Sequence, residues 1–122
     1  MLQLTLDSNQ ALYQIRAFEP GRITINDQVY TTSLIISPTQ LIVPWSIIIS
    51  DLTMENCQPL LQFDPKIILF GSGDELIFPP QPLLAALAQQ GIGVEVMNSY
   101  AACRTYQVLT AEGREVVAGI VI

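Results

Sequence analysis

Residues 66–98 read KIILFGSGDELIFPPQPLLAALAQQGIGVEVMN, and the fold turns on how this stretch is parsed. Residues 67–70 (IILF) are apolar at every position, the pattern of a strand covered on both faces. Gly71-Ser72-Gly73 breaks that run. Pro82 suits the first turn of a helix, where its missing N–H costs nothing. Leu83, Leu84 and Leu87 then make one apolar stripe, and Gly91 is the expected left-handed stop. Gly93–Met97 supplies a second strand. Strand, helix and strand within about 30 residues form a βαβ unit, whose parallel strands need helices over their faces.

Towards the C-terminus, Asn98 or Ser99 caps a second helix running to about Thr110, with Ala102, Tyr106 and Leu109 facing inward. Glu112-Gly113 turns the chain into residues 116–122, an apolar strand rich in β-branched residues. Towards the N-terminus the signals are those of strands. Leu2, Leu4 and Leu6 alternate with polar residues, and Leu12, Ile15 and Phe18 fall in an extended segment ended by Pro20-Gly21. Residues 22–25 and 28–30 flank Asn26-Asp27 as a tight hairpin, because Asn and Asp tolerate positive φ. Residues 34–36, 41–43 and 47–49 read as further short strands, with Trp45 between them either a binding platform or, the favoured reading, a large core or domain-edge filler. Thr53, Glu55 and Asn56 start a helix that Pro59 must kink or interrupt. The expected fold is α/β: one compact layered domain over residues 1–122, with a β-rich N-terminal half and a βαβαβ C-terminal half. A central mixed sheet carries helices on one face, and the N-terminal strands either extend it or form a second small layer.

Half of the 122 residues are apolar and only 13% are charged, against about 25% in a typical domain. So few charges leave apolar area exposed, which points to self-association or a protein partner. Five basic against eleven acidic residues, net −6, argue against binding nucleic acid or an anionic membrane surface. Cys57 and Cys103 lack metal spacing and read as reduced thiols of a cytoplasmic protein. The start, Met1 followed by LQLTLDSNQ, has no basic region or long apolar run of a secretory signal. No apolar stretch approaches the length of a membrane helix.

Zero histidine removes Ser-His-Asp triads, Cys-His pairs and His-ligated metals. Lys66, the single lysine, sits at a strand start beside Pro65 and is discounted as a nucleophile. No catalytic residue, metal or cofactor is expected. The sharpest feature is Gly71-Ser72-Gly73 at a strand's carboxyl end, where open α/β sheets bind ligands. It offers either an anion nest or a tight turn. Asp74 and Glu75 beside it would repel a phosphate, and neither dinucleotide nor P-loop glycine spacing is present. Cys103 next to Arg104 suggests an activated thiol, although neighbouring helical residues point about 100° apart.

ILFGSG (68–73), FPPQPLLAALAQQGIGVEVMNSYAACRTYQVL (78–109) and AEGR (111–114) occur in this order. The chain thereby resembles a small α/β family of largely unknown function. That family includes the mitochondrial respiratory complex I assembly factor 3 proteins and the adipogenesis-associated Mth-type domain proteins. Ser72 stands where the family pattern has Thr, Asn98-Ser99 where it has Asp-Thr, and Gln107 where it has Asn. The resemblance implies a layered fold with a mixed central sheet, and in one branch partner binding during complex assembly.

The favoured expectation is a non-enzymatic binding or assembly module. The alternative is a small-molecule or anion site, enzymatic or not, between the loop holding Gly71, Ser72, Gly73 and Asp74 and the helix holding Cys103, Arg104 and Tyr106.

Overall fold

The computed structural model describes residues 9–122. The alternating Leu2, Leu4 and Leu6 lie outside the described residues. Strands β1 (Ile15–Glu19), β2 (Arg22–Ile25) and β3 (Gln28–Tyr30) form an antiparallel meander. Its two turns use left-handed backbone at Gly21 (φ 88°) and Asn26 (φ 53°), the residue types that tolerate it. Then come β4 (Leu34–Ile36), β5 (Leu41–Ile42), a 3₁₀ turn (Ile49–Asp51) and a short helix α1 (Gln58–Leu61). The second half is β6 (Ile67–Gly71), α2 (Gln81–Gln89), β7 (Gly93–Met97), α3 (Ser99–Ala111) and β8 (Val116–Ile120).

The five-stranded sheet has the order β5-β4-β8-β6-β7, with β6 parallel to both β7 and β8 and β4 antiparallel to β8. Both possibilities for the N-terminal strands are therefore realised. β4 and β5 extend the central sheet, while β1–β3 form a separate layer. Burial follows the topology: every residue of β8 and residues 68–71 of β6 are buried, whereas the edge strand β7 is not. Each fully buried aliphatic or aromatic side chain here contributes about 1.5–3 kcal/mol over an exposed one.

The helices do not share one face, which corrects the expectation from sequence. The connection from β6 steps outward to β7, and the next steps back across β6 to β8. Two right-handed crossovers running in opposite directions must place their helices on opposite faces. Accordingly Leu83 and Leu87 of α2 pack with Ile68, Phe70 and Val117 on one face. Ala102 and Tyr106 of α3 pack with Leu69, Ala118 and Ile120 on the other. β1 and β2 then close over α3 through Ile15, Ile23 and Ile25.

Four local expectations also change. Residues 47–49 are not a strand: Ile49 is buried, but the chain turns there through a bond from Asp51 N–H to Ile48 O. Thr53 and Asn56 bond to each other's polar atoms in a turn, so the helix starts only at Gln58. Pro59 opens that helix instead of kinking it, since an N-terminal position has no helical N–H bond to lose. The last strand stops at Ile120. Trp45 is a core residue as read, with its indole N–H donating to Asn56 O at 3.2 Å.

Candidate functional site

In an open α/β sheet the ligand crevice lies outside the carboxyl ends of two strands whose connections leave towards opposite faces. Here the carboxyl ends of β6 and β7 bring Gly71, Ser72 and Gly73 against Met97, Asn98 and Ser99. The crevice is stitched shut. Ser72 N–H donates to Met97 O (2.9 Å), Gly73 N–H to Ser99 Oγ (2.8 Å) and Ser99 N–H to Gly73 O (2.8 Å). Ser99 Oγ, itself fully buried, donates onward to Val121 O at 2.5 Å. The amides that an anion nest would offer at Ser72 and Gly73 are thus occupied by the fold. Gly71 is needed for the closeness of the join, because a Cβ there would lie 3.0 Å from Ala102 Cβ and Ser99 Oγ.

The Ser72 hydroxyl has a different task. It donates to Glu75 O (2.6 Å) and accepts from Ile77 N–H (3.0 Å), so it shapes the loop of residues 74–78. Pro79-Pro80 stiffens the loop's far end by fixing φ. The outcome is a pinned turn that presents Leu76, Ile77 and Phe78 to solvent at 56%, 44% and 57% exposure. Asp74 and Glu75 are exposed beside them.

Asn98 proves to be the cap of α3, its Oδ1 accepting from Ala101 N–H at 2.8 Å. The helix sets Tyr106 wholly inside, with its hydroxyl donating to Tyr13 O at 2.9 Å and its ionisation pushed up by burial. Cys103 is also buried, and desolvation pushes its thiol from 9.0 up to about 12, away from the thiolate a nucleophile needs. Arg104 is exposed and lies over the Tyr100 ring, 5.8 Å from its centroid.

Two adjoining hollows lie between β1 and α3. The first, about 460 Å³, is lined by Ala17, Phe18, Tyr100, Cys103 and the two arginines 16 and 104. The second, about 240 Å³, shares Phe18 and Tyr100 with it and reaches Gly73, Asp74 and Asn98. Of the residues singled out from sequence, Gly73, Asp74, Cys103 and Arg104 therefore border this double hollow. Gly71, Ser72 and Tyr106 lie behind it as structural supports. Sequence reading missed Arg16, Phe18, Tyr100 and Ser99. A further hollow of about 370 Å³, at the opposite ends of the strands, is lined by Leu12, Pro38, Phe63, Pro65 and Arg114.

Both thiols titrate in a way that affects stability. Cys57 is raised to about 11 and Cys103 to about 12 by burial, from 9.0. Above pH 9 the unfolded chain releases these protons while the folded chain holds them, so stability falls as pH rises from about 9 towards 12. A urea midpoint constant from pH 7 to 8.5 and falling steadily above 9 is expected. In Cys57→Ala/Cys103→Ala that fall should be shallower.

Residues 15–121 match a family described as a protein of unknown function (DUF498/DUF598). This chain belongs to that family. A Francisella tularensis relative named 13 kDa major membrane protein is 31% identical over 118 residues, covering 95% of this chain and 96% of that one. The Bos taurus NADH dehydrogenase [ubiquinone] 1 alpha subcomplex assembly factor 3 is 32% identical over 85 residues, 67% of this chain. The match spans only 46% of the bovine protein. Among solved structures, a Xanthomonas campestris protein determined by NMR superposes with a TM-score of 0.83 at 34% identity, covering 90% of this chain and 84% of its own. A Bordetella pertussis Mth938-like domain shares the fold at TM-score 0.78 and 24% identity, covering 98% of this chain and 92% of that one. Among the described residues no helix is long and apolar enough to cross a membrane.

Proposed function

We propose that this chain is a non-enzymatic protein-binding module of the kind used in complex assembly, and that the loop of residues 74–78 is its contact. The observation that carries the reading is the pinned loop with three successive exposed apolar residues. A rigid loop loses little conformational entropy on docking, so the burial of Leu76, Ile77 and Phe78 is retained as affinity. Tyr100, 55% exposed at the rim of the neighbouring hollow, adds an aromatic anchor of the type enriched at interfaces. The assembly-factor relatives support the same reading. Its setting in this reading is the cytoplasm, where free thiols such as Cys57 and Cys103 stay reduced.

The test places a photoreactive phenylalanine analogue at position 78 in the native host. A discrete cross-linked product is expected, competed by unlabelled chain and abolished by Leu76→Asp. A position 78 probe that captures no protein, with a substrate turned over by the purified chain, would replace the binding reading with an enzymatic one.

A further inference from the structure

Arginines are scarce in this chain, yet two of them share one hollow. Arg16 and Arg104 line the space between β1 and α3, and among the described residues no Asp or Glu lines it, although acidic residues outnumber basic ones eleven to five. Among the described residues the one ion pair is Arg114–Glu112, at 3.7 Å and well exposed, so neither Arg16 nor Arg104 has a carboxylate partner. Arg16 is also the extra residue of a β-bulge. Ile15 and Ala17 oppose Ile25 and Thr24, which leaves Arg16 unpaired on an edge strand. Bulges at sheet edges bend the strand and re-aim a side chain. The Gln107 carboxamide accepts the Ile15 edge amide at 2.8 Å and ties the bulged strand to α3.

The matching shape is on the same molecule. Residues 74–78 (DELIF) offer two carboxylates followed by three exposed apolar side chains. The hollow offers two guanidinium groups beside an apolar floor that includes Ala17, Phe18 and Cys103. The loop makes no ion pair with its own chain's arginines. Loop and hollow are nevertheless neighbours, because the hollow bordering Asp74 shares Phe18 and Tyr100 with the one bordering Arg16 and Arg104. Two complementary patches side by side on one face satisfy each other across a two-fold axis, and a two-fold contact closes instead of growing into a filament.

We infer that the chain forms a two-fold dimer in which the 74–78 loop of each protomer docks in the partner's β1–α3 hollow, Asp74 and Glu75 meeting Arg16 and Arg104. This rests on the reading of the 74–78 loop as a docking element and names its occupant as a second copy of the chain. Phe18 and Tyr100 would lie near the axis. Salt weakens the pairing of the rim charges, so the dimer is tightest at low ionic strength.

Sedimentation velocity and light scattering on the purified chain test this directly. Wild type is expected to dimerise at micromolar to submillimolar concentration in low salt. Arg16→Glu/Arg104→Glu has acidic groups on both loop and hollow, and Asp74→Lys/Glu75→Lys has basic groups on both. Each variant alone should dimerise at least about ten-fold more weakly, since like charges are brought together. Mixed one to one, they should form a heterodimer, because both of its loop–hollow contacts are again complementary. All four positions are exposed, and a circular dichroism spectrum matching wild type checks the fold of each variant. A wild type that stays monomeric throughout, a dimer indifferent to both variants, or a mixture with no heterodimer overturns the inference. The position 78 cross-link separates this from the broader reading. A product at twice the chain's mass is self-docking, whereas a product with a different protein alone leaves the binding module standing and removes the dimer.

Discussion

Gly119→Ala should destabilise the fold by about 3 kcal/mol or more, the upper end of the range for overpacking. A Cβ at Gly119 would collide with the Trp45 ring, only 2.8 Å from Cη2 and nearer still to Cζ3. Neither side can yield. Gly119 lies in β8, held by β4 on one side and β6 on the other. Trp45 is fixed by its indole bond to Asn56 O and by its backbone N–H donating to Ser33 O at 2.7 Å. Whole-domain stability is about 5–15 kcal/mol, so one methyl group would remove a large share. Trp45→Leu should also destabilise, by emptying part of the core. The two changes should compensate, because the smaller leucine leaves room for the new methyl. A coupling of about 1–2 kcal/mol in a double-mutant cycle is expected, read from urea unfolding by circular dichroism. Strict additivity, or a Gly119→Ala change under about 0.5 kcal/mol, would show that Trp45 does not press on this strand.

That contact marks the boundary of what the sequence discloses. A strand in VVAGI and a large core residue at Trp45 are local signals, and both hold. Their collision joins residues 74 positions apart and depends on the strand order. The same division runs through the site. The strand, loop, helix and strand of residues 66–98 are legible because Pro82, Gly91 and the apolar runs act within a few residues. The helices' separation onto two faces is not, since it follows from β8 lying on the far side of β6 from β7. Gly71-Ser72-Gly73 reads locally as a possible nest, while the groups that fill it, Met97 O and Ser99 Oγ, arrive from the end of the next strand.

The pairing of Arg16 with Arg104 is harder still to see from sequence. No periodicity links a bulged residue on an edge strand with a helical residue 88 positions later. Composition did carry a signal. A charge content of 13% foretells exposed apolar surface, and much of that surface is gathered in Leu76, Ile77, Phe78 and Tyr100 beside the double hollow. Those exposed apolar side chains, and two arginines with no carboxylate partner among the described residues, are the features the proposed contact surface draws on. Burial pushes the Cys103 thiol up to about 12, and that too depends on packing from β1 that sequence alone does not show.

Tyr106→Ala is expected to cost about 3–5 kcal/mol, the loss typical of truncating a buried aromatic ring. Tyr106 is fully buried where α3 lies between the two sheets, and its ring packs with residues of both. Its hydroxyl donates to Tyr13 O, in the segment leading into β1, so one side chain spans the helix and the small sheet. Tyr106→Phe keeps the ring and removes only that bond, at about 1 kcal/mol. The two variants should differ in where they loosen the molecule. With alanine, β1–β3 lose hydrogen-exchange protection first, because Ile15, Ile23 and Ile25 hold that layer down by packing in the same cluster as this ring, while β6 and β8 keep their ladders. Since Arg16 lies on β1 and Arg104 on α3, the same loosening spreads the hollow between them, and self-association should weaken more in the alanine variant than in the phenylalanine one. Equal loss of protection in both sheets would mean that the small sheet is not hung on this residue. The hollow's geometry would then be set by the bond from Ile15 N–H to Gln107 instead.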